Sequence, residues 1–213
     1  MRTDDLVALL ARGAGTEPMA VPARVWAMAV AGGAVAAVAL MALMLGVQAD
    51  LAGKVSTLAW WGKAGFTLAV ALPALALITR MARPGSHVGR LPVALAAPVA
   101  ALWLAAAIQL AGAPPGERLA LVLGKTWASC PVWVTVLSLP LLIAALAALR
   151  ALAPTRLALS GAGAGLFAGA VGALVYTLHC PELDPAFVAV WYVLGIAIPT
   201  GLGAAVGPWI LRW

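Results

Sequence analysis

Charge is scarce in this chain. Asp, Glu, Lys and Arg together make up 9% of it, while 64% of its residues are hydrophobic, a balance that excludes an ordinary soluble domain. Cysteine and histidine are equally sparse, two of each, so no paired CxxC signature for a metal can be built. A phosphate loop, a metalloprotease helix and a Ser/His/Asp set with usable spacing are missing as well. These absences argue against an enzyme. The net charge of +6 would suit a nucleic-acid binder if the basic residues formed a patch. They fall between apolar runs instead, so no direct contact with nucleic acid is expected.

What fills the chain is long apolar runs. A bilayer crossing takes roughly 20 apolar residues for about 30 Å of hydrocarbon, and six stretches qualify: 25–46, 59–79, 91–111, 131–149, 157–178 and 187–210. The expected fold is an all-α integral membrane protein, a six-helix transmembrane bundle over 24–213 preceded by a tail at 1–23. Basic residues set its orientation. Arg2, Arg12, Arg24, Arg80, Arg83, Arg90, Arg150, Arg156 and Arg212 fall on one side. Lys54, Lys63, Arg118 and Lys125 fall on the other, balanced by Asp50, Glu117, Glu182 and Asp184. Both termini are therefore expected in the cytoplasm. Val47-Gln48-Ala49 resembles a signal-peptidase site, but the apolar run before it is longer than the 7–15 residues of a signal peptide, so the first span is expected to be retained.

In the tail, Thr3 is a good N-cap, and Asp4 and Asp5 suit the positive end of a helix dipole. Leu6, Leu9 and Leu10 share one face at i, i+3, i+4 spacing. A helix this short is not stable alone in water. Its polar face has too few basic residues for a membrane-surface helix, which points to docking on a partner protein. Trp60-Trp61-Gly62-Lys63 reads as an interfacial anchor, His87 as a solvated loop residue, and 117–123 as a short helix lying on the membrane. Gly161, Gly165, Gly169 and Ala173 repeat every fourth residue and Gly203 and Gly207 do the same, a close-packing pattern that places the fifth span at the centre. Ionisable residues are almost absent from the span interiors, which counts against ion-coupled transport.

The two cysteines, Cys130-Pro131 and Cys180-Pro181, lie at the outer ends of the fourth and fifth spans. Cys130 falls at the N-cap of a helix, where the dipole and unpaired N–H groups favour thiolate; Cys180 follows a helix end. Cys130 is therefore expected to be the reactive thiol and Cys180 the resolving one. The residues alone leave several fates open: a permanent disulfide staple, a switchable sensor, unpaired thiols, or capture of a transient soft metal ion by Cys130 and Cys180 with His179 as an auxiliary ligand. No resident cofactor is implied. A membrane thiol-disulfide oxidoreductase component is the alternative class, although one separated cysteine pair fits sensing better than turnover.

Taken together, Thr3-Asp4-Asp5-Leu6, six spans, Trp60-Trp61-Gly62-Lys63 and the two Cys-Pro pairs resemble the NrsF-type family of membrane anti-sigma factors of proteobacteria. The resemblance covers essentially the whole chain. It implies an inner-membrane protein that sequesters an extracytoplasmic-function sigma factor on the cytoplasmic side. It also implies that Cys130 and Cys180 sense oxidants or thiophilic metals. The tail residues Asp4, Asp5, Leu6, Leu9 and Leu10 are then expected to contribute to the sigma-binding surface, from their position and amphipathicity.

Overall fold

The computed structural model describes residues 3, 5, 7, 8, 23–81 and 89–212. Among them the regular structure is entirely helical, and six helices are long and apolar enough to cross a bilayer. In chain order the elements are α1 (Ala23–Met44), the short α2 (Leu51–Val55), α3 (Leu58–Met81), α4 (Leu91–Gly112), the short α5 (Arg118–Leu123), α6 (Cys130–Arg150), α7 (Leu157–Tyr176) and α8 (Pro185–Ile210). All six expected spans are present within a few residues of their expected ends, as is the short helix near 117–123. Of the tail, Thr3, Asp5, Val7 and Ala8 are helical and exposed. Asp4, Leu6, Leu9, Leu10 and His87 lie outside the described residues.

Local chemistry sets the helix starts. Proline opens the first turn of α4, α6 and α8, where its missing N–H costs nothing and its φ is already helical. Thr57 caps α3 by accepting the Trp60 N–H at 3.4 Å. Inside α8 the residues Val188–Tyr192 form a π-turn, and the Trp103 indole of α4 donates to the Ala189 carbonyl within it at 3.1 Å.

The most buried helix is α7. It packs most extensively on α8 and also against α6 and α3, while α1 lies on α6 and α4 on α3. Its glycines make this possible. A Cβ at Gly161 would fall on the Gly203 carbonyl and one at Gly165 on the Pro199 carbonyl, while one at Gly169 would come within 2.8 Å of the Pro199 ring. The four-residue repeat is thus the α7–α8 contact, with backbone against backbone. Around that seam Val134, Leu137 and Leu141 of α6 and Ala74 and Ile78 of α3 are fully buried. Both cysteines sit at one end of this bundle, called here the thiol end.

Candidate functional site

Cys130 is the first residue of α6, preceded by the N-cap Ser129, and Cys180 follows the turn that ends α7. Both are 0% exposed and free, and their side chains are close enough for each to shift the other's ionisation. The packing of α6 on α7 thus joins two residues far apart in sequence. Tyr176 from α7 and Tyr192 from the π-turn of α8 wall the site, their rings 6.1 Å apart. The extra residue of a π-turn re-aims the side chains that follow it. Here Tyr192 is fully buried next to Cys180, and its hydroxyl has no hydrogen-bond partner among the described residues.

A third wall is Lys63, which its place beside two tryptophans led us to expect at the lipid headgroups. It is 3% exposed. Its Nζ donates to the Cys180 carbonyl at 3.0 Å and to the Glu182 carbonyl at 2.8 Å. Its charge acts on the neighbouring Cys180 side chain, and it lies 4.9 Å from the centre of the Tyr192 ring. Its neighbour Trp61 is exposed, with its indole donating to the Val55 carbonyl at 2.9 Å. The anchor reading therefore fails for Lys63 and for Trp60, which is also buried, while Trp61 has the exposure that reading requires. A signal was present in the helix phase: Trp60, Lys63, Thr67, Val70 and Ala74 recur at three- and four-residue steps on the buried face of α3.

The segment 177–186 that carries Cys180 is tied to every other connection at this end. The Gln48 N–H donates to the Leu178 carbonyl at 3.1 Å, and Lys54 Nζ to the Pro181 carbonyl at 2.8 Å. Glu182 Oε1 accepts the Lys125 N–H at 2.8 Å. That contact depends on Gly124, whose φ is +55° and where a Cβ would lie 2.9 Å from the Glu182 carboxyl carbon. Gln109 of α4 donates to Asp184 Oδ1 at 2.8 Å, and its own Oε1 accepts the Ala186 N–H at 3.0 Å.

Charge in the pair resides on the opposite sulfur from the one expected. Cys180 is pushed down to about 5 by the hydrogen bond from the Cys130 thiol, by the Lys63 charge, by the Glu182 N–H and by the Tyr192 hydroxyl, against the opposing effect of burial. Cys130 lacks the help attributed to it. Its own N–H is spent on the Thr126 carbonyl at 2.9 Å, and the next residue is a proline with no N–H to offer. The structure therefore makes Cys180 the better thiolate.

His179 does not join the thiols in a metal-ready set. Its Nδ1 is 3.0 Å from the Gly46 carbonyl, an acceptor, so that nitrogen carries the proton, and its ring lies 5.7 Å from that of Tyr176. Among the described residues no group of three or more His, Cys, Asp or Glu is assembled to hold a metal ion.

Fold and site together define a class: a bundle of six long apolar helices whose polar chemistry is concentrated in one buried thiol cluster at one end. Comparison with known proteins makes this specific. Residues 10–213 match the family described as Negative regulator of sigma F. The chain is 43% identical over 213 residues to the probable anti-sigma-F factor NrsF of Azospira oryzae, and 40% identical over 217 residues to the anti-sigma-F factor NrsF of Caulobacter vibrioides, with both chains of each pair covered in full. It belongs to the Negative regulator of sigma F family. No solved structure matches it.

Proposed function

We propose that this chain is a multi-pass protein of the bacterial inner membrane that sequesters a sigma factor of the extracytoplasmic-function class on its cytoplasmic face and releases it when Cys130 and Cys180 are oxidised. The role is regulatory, not catalytic. Family membership supports the sigma partner, and six long apolar helices support insertion in a bilayer. The distribution of Lys and Arg supports an orientation with the thiol end outside and both termini in the cytoplasm. The observation that carries the sensing reading is that the only two cysteines in the chain converge as free, buried, interacting thiols.

Oxidation is favoured over metal capture because, among the described residues, no third ligand from His, Cys, Asp or Glu is assembled beside the sulfurs. The tail residues Asp4, Asp5, Leu6, Leu9 and Leu10 would supply part of the sigma-binding surface. A change from 1% to 99% release requires the two redox states to differ in sigma affinity by about 5.5 kcal/mol, within reach of a covalent bond that repacks α6 against α7.

The test is co-purification of the sigma factor from native membranes before and after treatment with hydrogen peroxide or hypochlorous acid. Wild-type protein is expected to lose its partner on oxidation, whereas Cys130→Ser and Cys180→Ser keep it. Normal release from both serine variants would sink the sensing reading. Absence of any sigma factor, with the tail intact, would sink the anti-sigma reading itself.

A further inference from the structure

We infer that Lys63 is a positioning residue of the sensor: its ammonium holds Cys180 as the thiolate that meets the oxidant first, with Cys130 as the resolving thiol. This rests on the sensing reading above and assigns roles within it.

An ammonium group has three N–H bonds to satisfy and accepts none. For Lys63 two go to the Cys180 and Glu182 carbonyls at 3.0 and 2.8 Å, which sets the ammonium beside the Cys180 side chain, on which its charge acts. A buried cation also needs an opposite charge, because its lost hydration is not replaced by neutral dipoles alone. The charges that act on Lys63 are those of Cys180, Cys130 and Lys54, so the only anions among them are sulfurs. The two carboxylates of the same segment are engaged elsewhere, Glu182 with the Lys125 N–H and Asp184 with Gln109. The Tyr192 ring face adds its own attraction for the cation.

The groups facing Cys180 from the surrounding elements all have places in this scheme. Lys63 comes from α3 and Cys130 from α6. Tyr192 comes from α8, and the neighbouring Tyr176 from α7. Glu182 offers its backbone N–H to the sulfur.

The chemistry balances with a peroxide as oxidant. The Cys180 thiolate attacks one peroxide oxygen, the O–O bond breaks, and hydroxide leaves with the electron pair, giving the sulfenic acid. The Cys130 sulfur then attacks the Cys180 sulfur. The S–OH bond breaks, and the departing hydroxide takes the Cys130 proton as water. Two sulfurs are oxidised to a disulfide, and one peroxide is reduced to hydroxide and water.

The experiment uses the full chain in detergent or proteoliposomes, with Cys130→Ser so that only Cys180 reacts and a hydroxyl still donates to it. Reaction with methyl methanethiosulfonate is followed by mass spectrometry as a function of pH, with Lys63 intact and as Lys63→Met, Lys63→Gln and Lys63→Arg. With Lys63 the rate is expected to stay nearly flat from about pH 6 to 9, since the thiolate is already formed. Lys63→Met and Lys63→Gln should slow it by about tenfold or more near neutrality, thiolate falling tenfold for each unit of pH below the thiol's own value. They should recover the original rate above about pH 9, and Lys63→Arg should retain most of it at all pH. A merely structural loss would slow reaction at every pH.

An unchanged profile in Lys63→Met overturns the assignment. So does a rate with Lys63 intact that rises steeply through about pH 8.5, the ordinary thiol range, and this second result does not depend on any Lys63 variant folding. Sigma release plays no part in the readout, so failure of the anti-sigma reading and failure of this assignment are seen separately.

Discussion

Two regions hold the bundle together by opposite means. Along the α7–α8 seam, Gly161 and Gly165 lie against the carbonyls of Gly203 and Pro199 with no side chain between them. Nothing there can ionise, oxidise or change partners. At the thiol end, segment 177–186 is held by side-chain hydrogen bonds from Lys54, Lys63 and Gln109, with two sulfurs at their centre. The seam is steric and has one solution; the thiol end is polar and can be rewired by a two-electron oxidation. A switch placed on the seam could only be broken. One placed where contacts are hydrogen bonds can be moved between states that differ by a few kcal/mol.

Breaking the seam should give the largest effect on stability. Gly165→Leu sets a side chain onto the Pro199 carbonyl and within 2.7 Å of the Thr200 Cα. Backbone cannot yield as a side chain does, so the cost is expected at the upper end for overpacking, about 3 kcal/mol or more. Loss of folded protein in a detergent melting assay is the readout. Gly201→Leu, on the same helix pair but with nothing within 4 Å of its Cβ, should melt like the parent. If both variants melt alike, α7 and α8 do not meet along this face.

A mid-sized effect is expected where a buried polar tie is cut without touching the sulfurs. Gln109→Leu strips Asp184 of a donor and leaves the Ala186 N–H without its acceptor. An unsatisfied buried group costs about 1–3 kcal/mol. The melting temperature should fall, while the pH profile of Cys180 reactivity stays that of the parent. A shifted profile would mean that the thiol end acts as one network and not as separable ties.

The same contrast explains what could be read from the sequence. The six helices were legible because hydropathy and length suffice for them, and the seam because a small residue at every fourth position has one obvious use. The meeting of Cys130 and Cys180 was legible from topology. Lys63 was not, since an ammonium beside two tryptophans reads as a headgroup anchor, and only the phase of Thr67, Val70 and Ala74 could have placed it inside. The choice of nucleophile failed for a related reason. The argument from the start of α6 counted a free N–H that Thr126 already uses, and it could not count donors arriving on Cys180 from α3 and α8. Long-range polar contacts leave no local periodicity in a sequence.

The smallest expected effect sharpens the comparison most. Lys54 and Lys63 both donate to carbonyls of the same three residues, Lys54 to Pro181 at 2.8 Å and Lys63 to Cys180 and Glu182. They differ in surroundings. Lys54 reaches its carbonyl from an exposed position, where water replaces a lost hydrogen bond and screens the charge. Lys63 is 3% exposed, and nothing replaces its contacts. Lys54→Met should therefore change stability by no more than about 0.5 kcal/mol and leave Cys180 reactive at neutral pH, while Lys63→Met slows that reaction. Melting temperature and thiol labelling on the two variants side by side decide the matter. Equal slowing would mean that the net positive charge near the loop, and not the buried hydrogen-bonded ammonium, sets the state of the sulfur.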